Sequence, residues 1–166
     1  MTSPGYAADL AYIHDAGFSE FALESAPGIL ALLRRRGIRD GAILELGCGS
    51  GRLSRILAES GYQVLGVDVS AAMIRLARRH APGARFLQAS LWDCEFPPVQ
   101  AVTALGEVLN YAFGRAPARG ERRRLFKRIH AALATNGAFV FDFATPDRLP
   151  MELPARRWFA GEDWAV

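Results

Sequence analysis

The sequence predicts a doubly wound α/β domain, in which a mostly parallel β-sheet carries helices on both faces. Short apolar runs typical of buried strands alternate along the chain with segments whose apolar residues recur three and four positions apart, as in amphipathic helices. Glycines and an Asn–Gly pair separate these segments, as turn residues do. Alternation of this kind builds right-handed βαβ units, and continuously apolar strands are typical of a sheet that is covered on both faces.

Nine elements follow from the two periodicities. The strands are predicted at residues 42–46, 63–68, 84–89, 99–105 and 138–143. The helices are predicted at residues 19–36, 50–60, 71–80 and 119–135. The first helix is expected to break or kink at Pro27, because proline lacks the backbone N–H that the helix needs. A loop containing Pro97 and Pro98 connects the third and fourth strands, so the crossover helix there is predicted to be missing or vestigial.

Composition restricts the class of protein. The 166 residues correspond to one domain, and a hydrophobic content of 51% excludes a disordered chain. Two cysteines, Cys48 and Cys94, exclude a disulfide framework, and neither belongs to a metal-ligand pattern, so no metal is predicted. The sequence shows neither an apolar segment long enough to span a membrane nor a secretory signal. A cytoplasmic protein without a membrane partner is therefore expected.

The basic residues do not predict a nucleic-acid partner, although the isoelectric point is about 9.2. Arginine runs lie apart from one another, at residues 34–36, 78–79 and 122–124. The first two fall at predicted helix C-termini, where positive charge complements the helix dipole. No aromatic residues interleave with these runs to stack on bases. The sequence does not indicate an oligomeric state.

Two features lie at the carboxyl ends of neighbouring strands, where open parallel sheets bind their ligands. Gly47, Gly49 and Gly51 form a G-x-G-x-G turn after the first strand, with Glu45 two residues before it. Glycines allow positive φ and let a ligand approach the backbone closely. Asp68 ends the second strand, where its carboxylate could accept hydrogen bonds from two ribose hydroxyls. The pattern indicates a nucleotide-like ligand.

The residues around the turn discriminate between ligand classes. A dinucleotide fingerprint has a third glycine where Arg52 stands. Glu45 favours a ligand with a positively charged end over a pyrophosphate. An NAD-dependent oxidoreductase and a non-catalytic nucleotide-binding module remain as alternatives to an enzyme that uses a cationic nucleoside.

Four segments resemble the motifs of the class I S-adenosylmethionine-dependent methyltransferases, a Rossmann-like family. They are ILELGCGSG at residues 43–51, VDVSAAMI at 67–74, FLQASLWD at 86–93 and VTALGEVLN at 102–110. The resemblance covers roughly residues 38–145. It implies in-line transfer of a methyl group from S-adenosylmethionine to a small-molecule acceptor, with S-adenosylhomocysteine as the product.

The resemblance also implies which residues contact the cofactor. Its carboxylate would meet backbone N–H groups of the glycine turn, its ammonium would lie near Glu45, and Asp68 would hold the ribose. Val69 and Met73 would pack on the adenine, and the backbone of Leu91 would face the adenine edge. The other implied contacts are Gly47, Cys48, Gly49, Gly51, Ser90 and Leu105. Ser90 stands where many members of the family have Asp, and a hydroxyl is the weaker acceptor.

No catalytic residue follows from the sequence, because the sulfonium supplies the reactivity and the protein positions the reactants. If the acceptor must lose a proton, His14, Glu107 and Tyr111 are candidates for a general base. His14 and Asp15 form either a lid over the cofactor or an ordinary helix-end pair. His80 is expected to be a surface residue.

Three regions are predicted along the chain: an N-terminal helical segment or lid at 1–37, the binding core at 38–145 and a C-terminal start at 146–166. Class I sheets usually finish with an antiparallel strand pair after the fifth strand. Residues 144–166 contain three prolines, which disfavour such a pair. The C-terminal antiparallel strands are thus expected to be missing, which would make the domain incomplete and leave residues 139–141 as an open apolar edge.

Overall fold

The structure is a computed structural model that describes residues 7–111, 120–145 and 159–165. The described residues form five helices and five strands, numbered in chain order. The helices are α1 (Ala8–Phe18), α2 (Glu20–Arg35), α3 (Arg52–Glu59), α4 (Ala71–His80) and α5 (Glu121–Ala132). The strands are β1 (Gly41–Leu46), β2 (Tyr62–Asp68), β3 (Arg85–Gln88), β4 (Val99–Ala104) and β5 (Leu133–Phe141).

The strands form one sheet in the order β3-β2-β1-β4-β5, and every neighbouring pair is parallel. The first strand, β1, is the central strand of the sheet. β2 and β3 follow on one side of it, and β4 and β5 lie on the other side. This arrangement confirms the predicted doubly wound α/β fold. It also places the ends of β1, β2 and β4 side by side, at the point where the winding reverses.

Two apolar layers enclose the sheet, and neighbouring residues of β1 belong to different layers. Ile43 packs in the layer that contains Leu33 of α2 and Leu57 of α3. Leu44 packs in the layer that contains Leu125 of α5. Each of these side chains is at most 1% exposed, and burying one of this size contributes about 1.5–3 kcal/mol. The continuous apolar run of β1 is therefore explained by burial on both of its faces.

β3 departs from the expectation that all strands are deeply buried. Of its four residues only Phe86 is partly buried, and Leu87 is 43% exposed. β3 is an edge strand, and residues 89–98 between β3 and β4 contain no helix. The predicted loss of the crossover helix is confirmed, and it explains why this part of the sheet is less covered.

Element boundaries differ from the sequence prediction, and α1 precedes the first helix that was predicted, at 19–36. α2 runs unbroken through Pro27, because the apolar face formed by Ala26, Ile29 and Leu33 is buried against the core. β5 begins directly after α5 at Leu133, earlier than predicted. The predicted turn residue Asn136 instead lies at a register irregularity within β5, with a φ of 66°.

Residues 159–165 pack against α1. The hydroxyl of Tyr12 donates a hydrogen bond of 2.9 Å to Oδ2 of Asp163. The ring centroids of Phe18 and Trp164 lie 6.1 Å apart. Among the described residues, β5 pairs only with β4. The predicted C-terminal region at 146–166 falls largely on residues 146–158, outside the described residues, so the incompleteness of the domain stays a prediction. In the described part of the chain, no helix combines the length and the apolarity that a membrane span requires.

Candidate functional site

Two adjoining cavities lie at the carboxyl ends of the central strands. The first cavity has a volume of about 280 Å³ and is enclosed by the glycine turn, the segment after β4, and α1 and α2. The second cavity, of about 50 Å³, lies between the end of β2 and residues 89–92. Gly47 and Tyr111 line both cavities. One elongated ligand that crosses the glycine turn would therefore occupy both.

The structure brings most of the predicted site residues to these two cavities. Those that line the first cavity are Glu45, Gly47, Cys48, Gly49 and Leu105. Those that line the second cavity are Gly47, Asp68, Val69, Ser90 and Leu91. The candidate bases His14, Glu107 and Tyr111 also line the first cavity.

Gly51 and Met73 line neither cavity. Met73 is 1% exposed and packs against Ala11 of α1, so its side chain belongs to the core and does not support the implied adenine contact. Gly51 has a φ of 78°, and a Cβ there would lie 2.9 Å from the Cα of Ala77. The absence of a side chain at Gly51 therefore allows α3 to begin close against α4, and the residue serves helix packing.

The glycine turn uses several of its own N–H groups. Gly47 and Cys48 both donate to the carbonyl of Val67, at 2.8 and 3.0 Å. Gly49 donates to Oδ2 of Asp68 at 3.0 Å. These donors hold the turn against the end of β2. They are therefore not available to a ligand carboxylate, although the resemblance implies that the carboxylate would meet N–H groups of this turn. The first turn of α3, which has no side-chain cap, offers further backbone donors next to the turn.

Gly47 and Gly49 are required for different reasons. A Cβ at Gly47 would lie 2.2 Å from Cγ2 of Val108, so this glycine allows the close approach of the segment after β4. A Cβ at Gly49 would meet nothing within 4 Å, but its φ of +52° disfavours any side chain. Since Gly49 lines the first cavity, its missing side chain leaves open space for a ligand.

Glu45 is a buried acid at the wall of the first cavity, with 5% of its surface exposed. The pKa of this carboxyl is raised to about 7, mainly by burial. A hydrogen bond from the hydroxyl of Ser54 opposes the increase, and the negative charge of Asp68 adds to it. Both the neutral and the ionised form of the carboxyl are therefore accessible near neutral pH. A positively charged ligand group would favour the ionised form.

Asp68 is fixed by backbone donors. In addition to the bond from Gly49, its Oδ1 accepts from the N–H of Ser70 at 2.8 Å. Burial raises the pKa of the Asp68 carboxyl, while these backbone bonds act in the opposite direction. A third backbone bond, from Val69, also acts on this carboxylate. Its two oxygens offer about four acceptor positions in all, so capacity remains for a ligand hydroxyl.

The segment after β4 is held in an unusual backbone conformation. Gly106 and Glu107 both have positive φ, at 78° and 59°. The carboxylate of Asp142 accepts from their N–H groups at 3.1 and 2.8 Å. Asn110 exchanges two hydrogen bonds of 3.0 Å with the backbone of Ala144. The residues just after β5 therefore hold the segment that carries Glu107 to the first cavity in its unusual backbone conformation.

Sequence reasoning missed a polar cluster that joins α1 to the glycine turn. Asp15 accepts two hydrogen bonds of 2.8 Å from Arg52, one to each carboxylate oxygen. His80 has its Nδ1 2.8 Å from the carbonyl oxygen of Ser50 and its Nε2 3.6 Å from Asp15. His80, which the sequence placed on the surface, has 21% of its side chain exposed, because the C-terminal end of α4 meets the turn. No local pattern indicates a pair 37 positions apart.

Comparison with known proteins identifies the family. Residues 43–137 match the family described as "Methyltransferase domain". Trans-aconitate 2-methyltransferase of Paracidovorax citrulli (strain AAC00-1) is 32% identical over 124 residues, which are 74% of this chain and 46% of that protein. The fold and the two-cavity site define a Rossmann-like α/β domain. The family match covers more than half of the chain, so this chain belongs to the methyltransferase domain family.

Solved structures share the same fold. The structure of a DhpI–SAH complex is 28% identical with a TM-score of 0.60, over 79% of this chain and 63% of that chain. The sugar N-methyltransferase KedS8 from Streptoalloteichus sp. ATCC 53650 superposes with a TM-score of 0.76 over 95% of this chain and 62% of its own, at 24% identity. This chain spans about half the length of the curated relatives it matches.

Proposed function

We propose that this protein transfers the methyl group of S-adenosylmethionine to a small-molecule acceptor. The observation that carries the proposal is the pair of acids at the two ends of one continuous site. Asp68 lines the second cavity and Glu45 lines the first, with Gly47 between them. A ribose at one end and an ammonium at the other are the groups that two such carboxylates would bind. Membership of the methyltransferase domain family supports the same cofactor.

The shapes of the cavities set the orientation of the cofactor. The second cavity is narrow and bears the apolar side chains of Val69 and Leu91, which suit an adenine ring. The amino-acid end would cross Gly49 and reach Glu45 in the first cavity. The first cavity is larger and continues past Glu45 to the rings of Phe18 and Phe21, which leaves room for an acceptor.

The chain's own residues act mainly by binding and orientation. S-adenosylmethionine, when bound, supplies an electrophilic methyl group on its sulfonium. Burial lowers the pKa of His14, so its imidazole is neutral at pH 7. The neutral ring can take up a proton from the methyl-accepting substrate in the first cavity. Glu107 is held towards the same cavity by the backbone bonds to Asp142. The α1 and α2 wall excludes water from the reacting groups.

Two observations weigh against the alternative functions. The position of the third dinucleotide glycine is occupied by Arg52, whose guanidinium is committed to Asp15. This arrangement disfavours an NAD-dependent oxidoreductase. A non-catalytic module would not need acceptor space, whereas the first cavity is open next to Glu45, Glu107 and Tyr111.

Calorimetry and a transfer assay test the proposal. We expect the protein to bind S-adenosylhomocysteine and not NADH, and Asp68→Ala to weaken the binding. Incubation with radiolabelled S-adenosylmethionine and acceptor pools should then yield a methylated product. Small carboxylic acids and amino sugars are the first pools to try, because the relatives named above include a trans-aconitate and a sugar N-methyltransferase. Failure of the unaltered protein to bind S-adenosylhomocysteine would overturn the proposal.

A further inference from the structure

We propose that Arg128 is a positioning residue for the adenine end of the cofactor, because it holds the loop of residues 90–96 in the shape that lines the second cavity. This inference rests on the proposed function. Arg128 belongs to α5 and lies outside the four motifs that the sequence singled out. It does not line the second cavity, so it would act on the cofactor only through the loop.

The guanidinium of Arg128 makes four contacts, all with one loop. Its Nη1 donates to the carbonyl oxygens of Leu91 and Trp92 at 3.3 and 2.7 Å. Its Nη2 donates to the carbonyl oxygen of Cys94. Its Cζ lies 4.2 Å from the centre of the Phe96 ring, in a cation–π contact. A single side chain therefore binds carbonyls at three of four successive positions.

The loop has few bonds of its own. The hydroxyl of Ser90 accepts from the N–H of Trp92 at 3.2 Å, and the carbonyl of Ser90 accepts from Asp93 and Cys94 at 3.1 and 3.0 Å. These bonds tighten the first turn but leave the next carbonyls to find other donors. A crossover helix would normally order this connection, and it is absent between β3 and β4. The planar guanidinium, with five N–H donors, is suited to collecting several carbonyls at once.

The same loop also lines the proposed adenine site. Ser90, Leu91 and Trp92 line the second cavity, facing Asp68 and Val69 at the end of β2. The cavity is only about 50 Å³, so a small displacement of the loop would change its width. Arg128 thus acts on the ligand through Leu91 and Trp92.

The neighbouring cations of α5 do not share this role. Arg122 and Arg123 are exposed, and Arg124 lies 3.6 Å from Glu121 on the helix surface. Arg128 is partly buried, one turn further along. The helix therefore supplies a matched control: Arg123→Met makes the same chemical change as Arg128→Met at a position that does not reach the loop.

The experiment compares two ligands by calorimetry. S-adenosylhomocysteine has both ends of the cofactor, whereas 5′-methylthioadenosine keeps the adenosine and lacks the amino-acid end. We expect Arg128→Met to weaken both ligands about tenfold and by the same factor. Arg123→Met should leave both affinities within about twofold of the unaltered protein. Arg128→Lys should restore part of the loss, because an ammonium can still donate to one or two carbonyls.

Hydrogen–deuterium exchange of the ligand-free protein provides a readout that global destabilisation would not reproduce. Arg128→Met should raise exchange in residues 90–96 and leave β1, β2 and β4 unchanged. Exchange that rises throughout the sheet would overturn the positioning role. So would unchanged affinity for both ligands, or a loss confined to S-adenosylhomocysteine. If the unaltered protein binds neither ligand, the proposed function fails and this inference fails with it. If it binds both, and Arg128→Met binds both with unchanged affinity, only this inference fails.

Discussion

Asp15 of α1 and Arg52 of α3 form a bidentate ion pair, with both hydrogen bonds at 2.8 Å. Arg52 opens the helix that follows the glycine turn, so the pair fastens the N-terminal helix to the element that begins at the site. α1 also supplies His14 and Phe18 to the first cavity. One wall of the cavity is therefore held in place by an ion pair whose arginine also lines the cavity.

Asp15→Asn should lower the free energy of unfolding at pH 7 by about 1–3 kcal/mol, because it replaces the charged acceptor of two hydrogen bonds. Burial raises the pKa of Asp15, but the bonds from Arg52 and Ser50 outweigh it, so the folded-state pKa is below the usual value. The contribution of the carboxylate is therefore present above about pH 4 and lost as pH falls through the lowered pKa. Denaturant unfolding at pH 7 and at acid pH measures both effects.

Asp9→Asn is the matched control, since Asp9 is exposed on the same helix. It should change the free energy of unfolding by less than about 0.5 kcal/mol. Equal effects of the two substitutions would show that the ion pair contributes nothing specific.

Asp68→Ala should weaken binding of S-adenosylhomocysteine by about 1.5–3 kcal/mol, the cost of removing a charged acceptor from two hydroxyls. It should also lower the thermal midpoint, because the N–H groups of Gly49 and Ser70 lose their acceptor. Calorimetry and a melting curve separate the two effects. Asp40→Ala, at an exposed turn before β1, should change neither quantity. Unchanged affinity in the Asp68 variant would remove this residue from the cofactor site.

Gly49→Val should abolish binding of S-adenosylhomocysteine, because the branched side chain would enter the open space of the first cavity. Gly61→Val provides a control that isolates this effect. Gly61 also has a positive φ, +95°, and open space around its Cβ position, but it lies in the turn between α3 and β2. Both variants should lose stability through backbone strain, yet only the first should lose binding. A folded Gly49 variant with normal affinity would contradict the placement of the ligand.

Binding of S-adenosylhomocysteine should tighten about tenfold between pH 6 and pH 8, as Glu45 ionises through its raised pKa of about 7 and can pair with the ligand ammonium. Glu45→Gln should make the affinity nearly independent of pH over this range. 5′-Methylthioadenosine, which has no ammonium, should show no such dependence with either protein. Titration calorimetry at several pH values gives the comparison, and a parallel pH dependence for both ligands would exclude Glu45 as the cause.

The same shift predicts the pH dependence of stability for the free protein. The folded-state pKa of Glu45 lies above 4.5, the ordinary pKa of a glutamate carboxyl. The stability linked to the protonated form is therefore full below about pH 4.5 and is lost as pH rises through about 7. The thermal midpoint of the ligand-free protein should fall over this interval, and Glu45→Gln should flatten the change. A midpoint that rises in the unaltered protein and in the variant alike would show that other groups dominate.

The sequence by itself determined the sheet and the centre of the site. The apolar run of β1 and the glycines that follow it are neighbours in the chain, so their pattern predicts both the strand end and the turn beside Glu45. Asp68 follows from the same logic on the next strand. These features depend on short-range periodicity and on where parallel strands end, which are local properties.

The tertiary structure decided which side chains meet across the chain. Met73 turns into the core because α1 covers that face of α4, and Gly51 meets Ala77 because two helices begin and pass close together. Asp15 and Arg52 are 37 positions apart in the sequence. Arg128 is 34 to 37 positions from the residues that it contacts in the loop after β3. No local pattern encodes such partners, because they depend on how the crossovers place whole helices against the sheet. The candidate binding residues at the strand ends are thus predictable from local pattern, whereas the residues that hold them in position emerge only from packing.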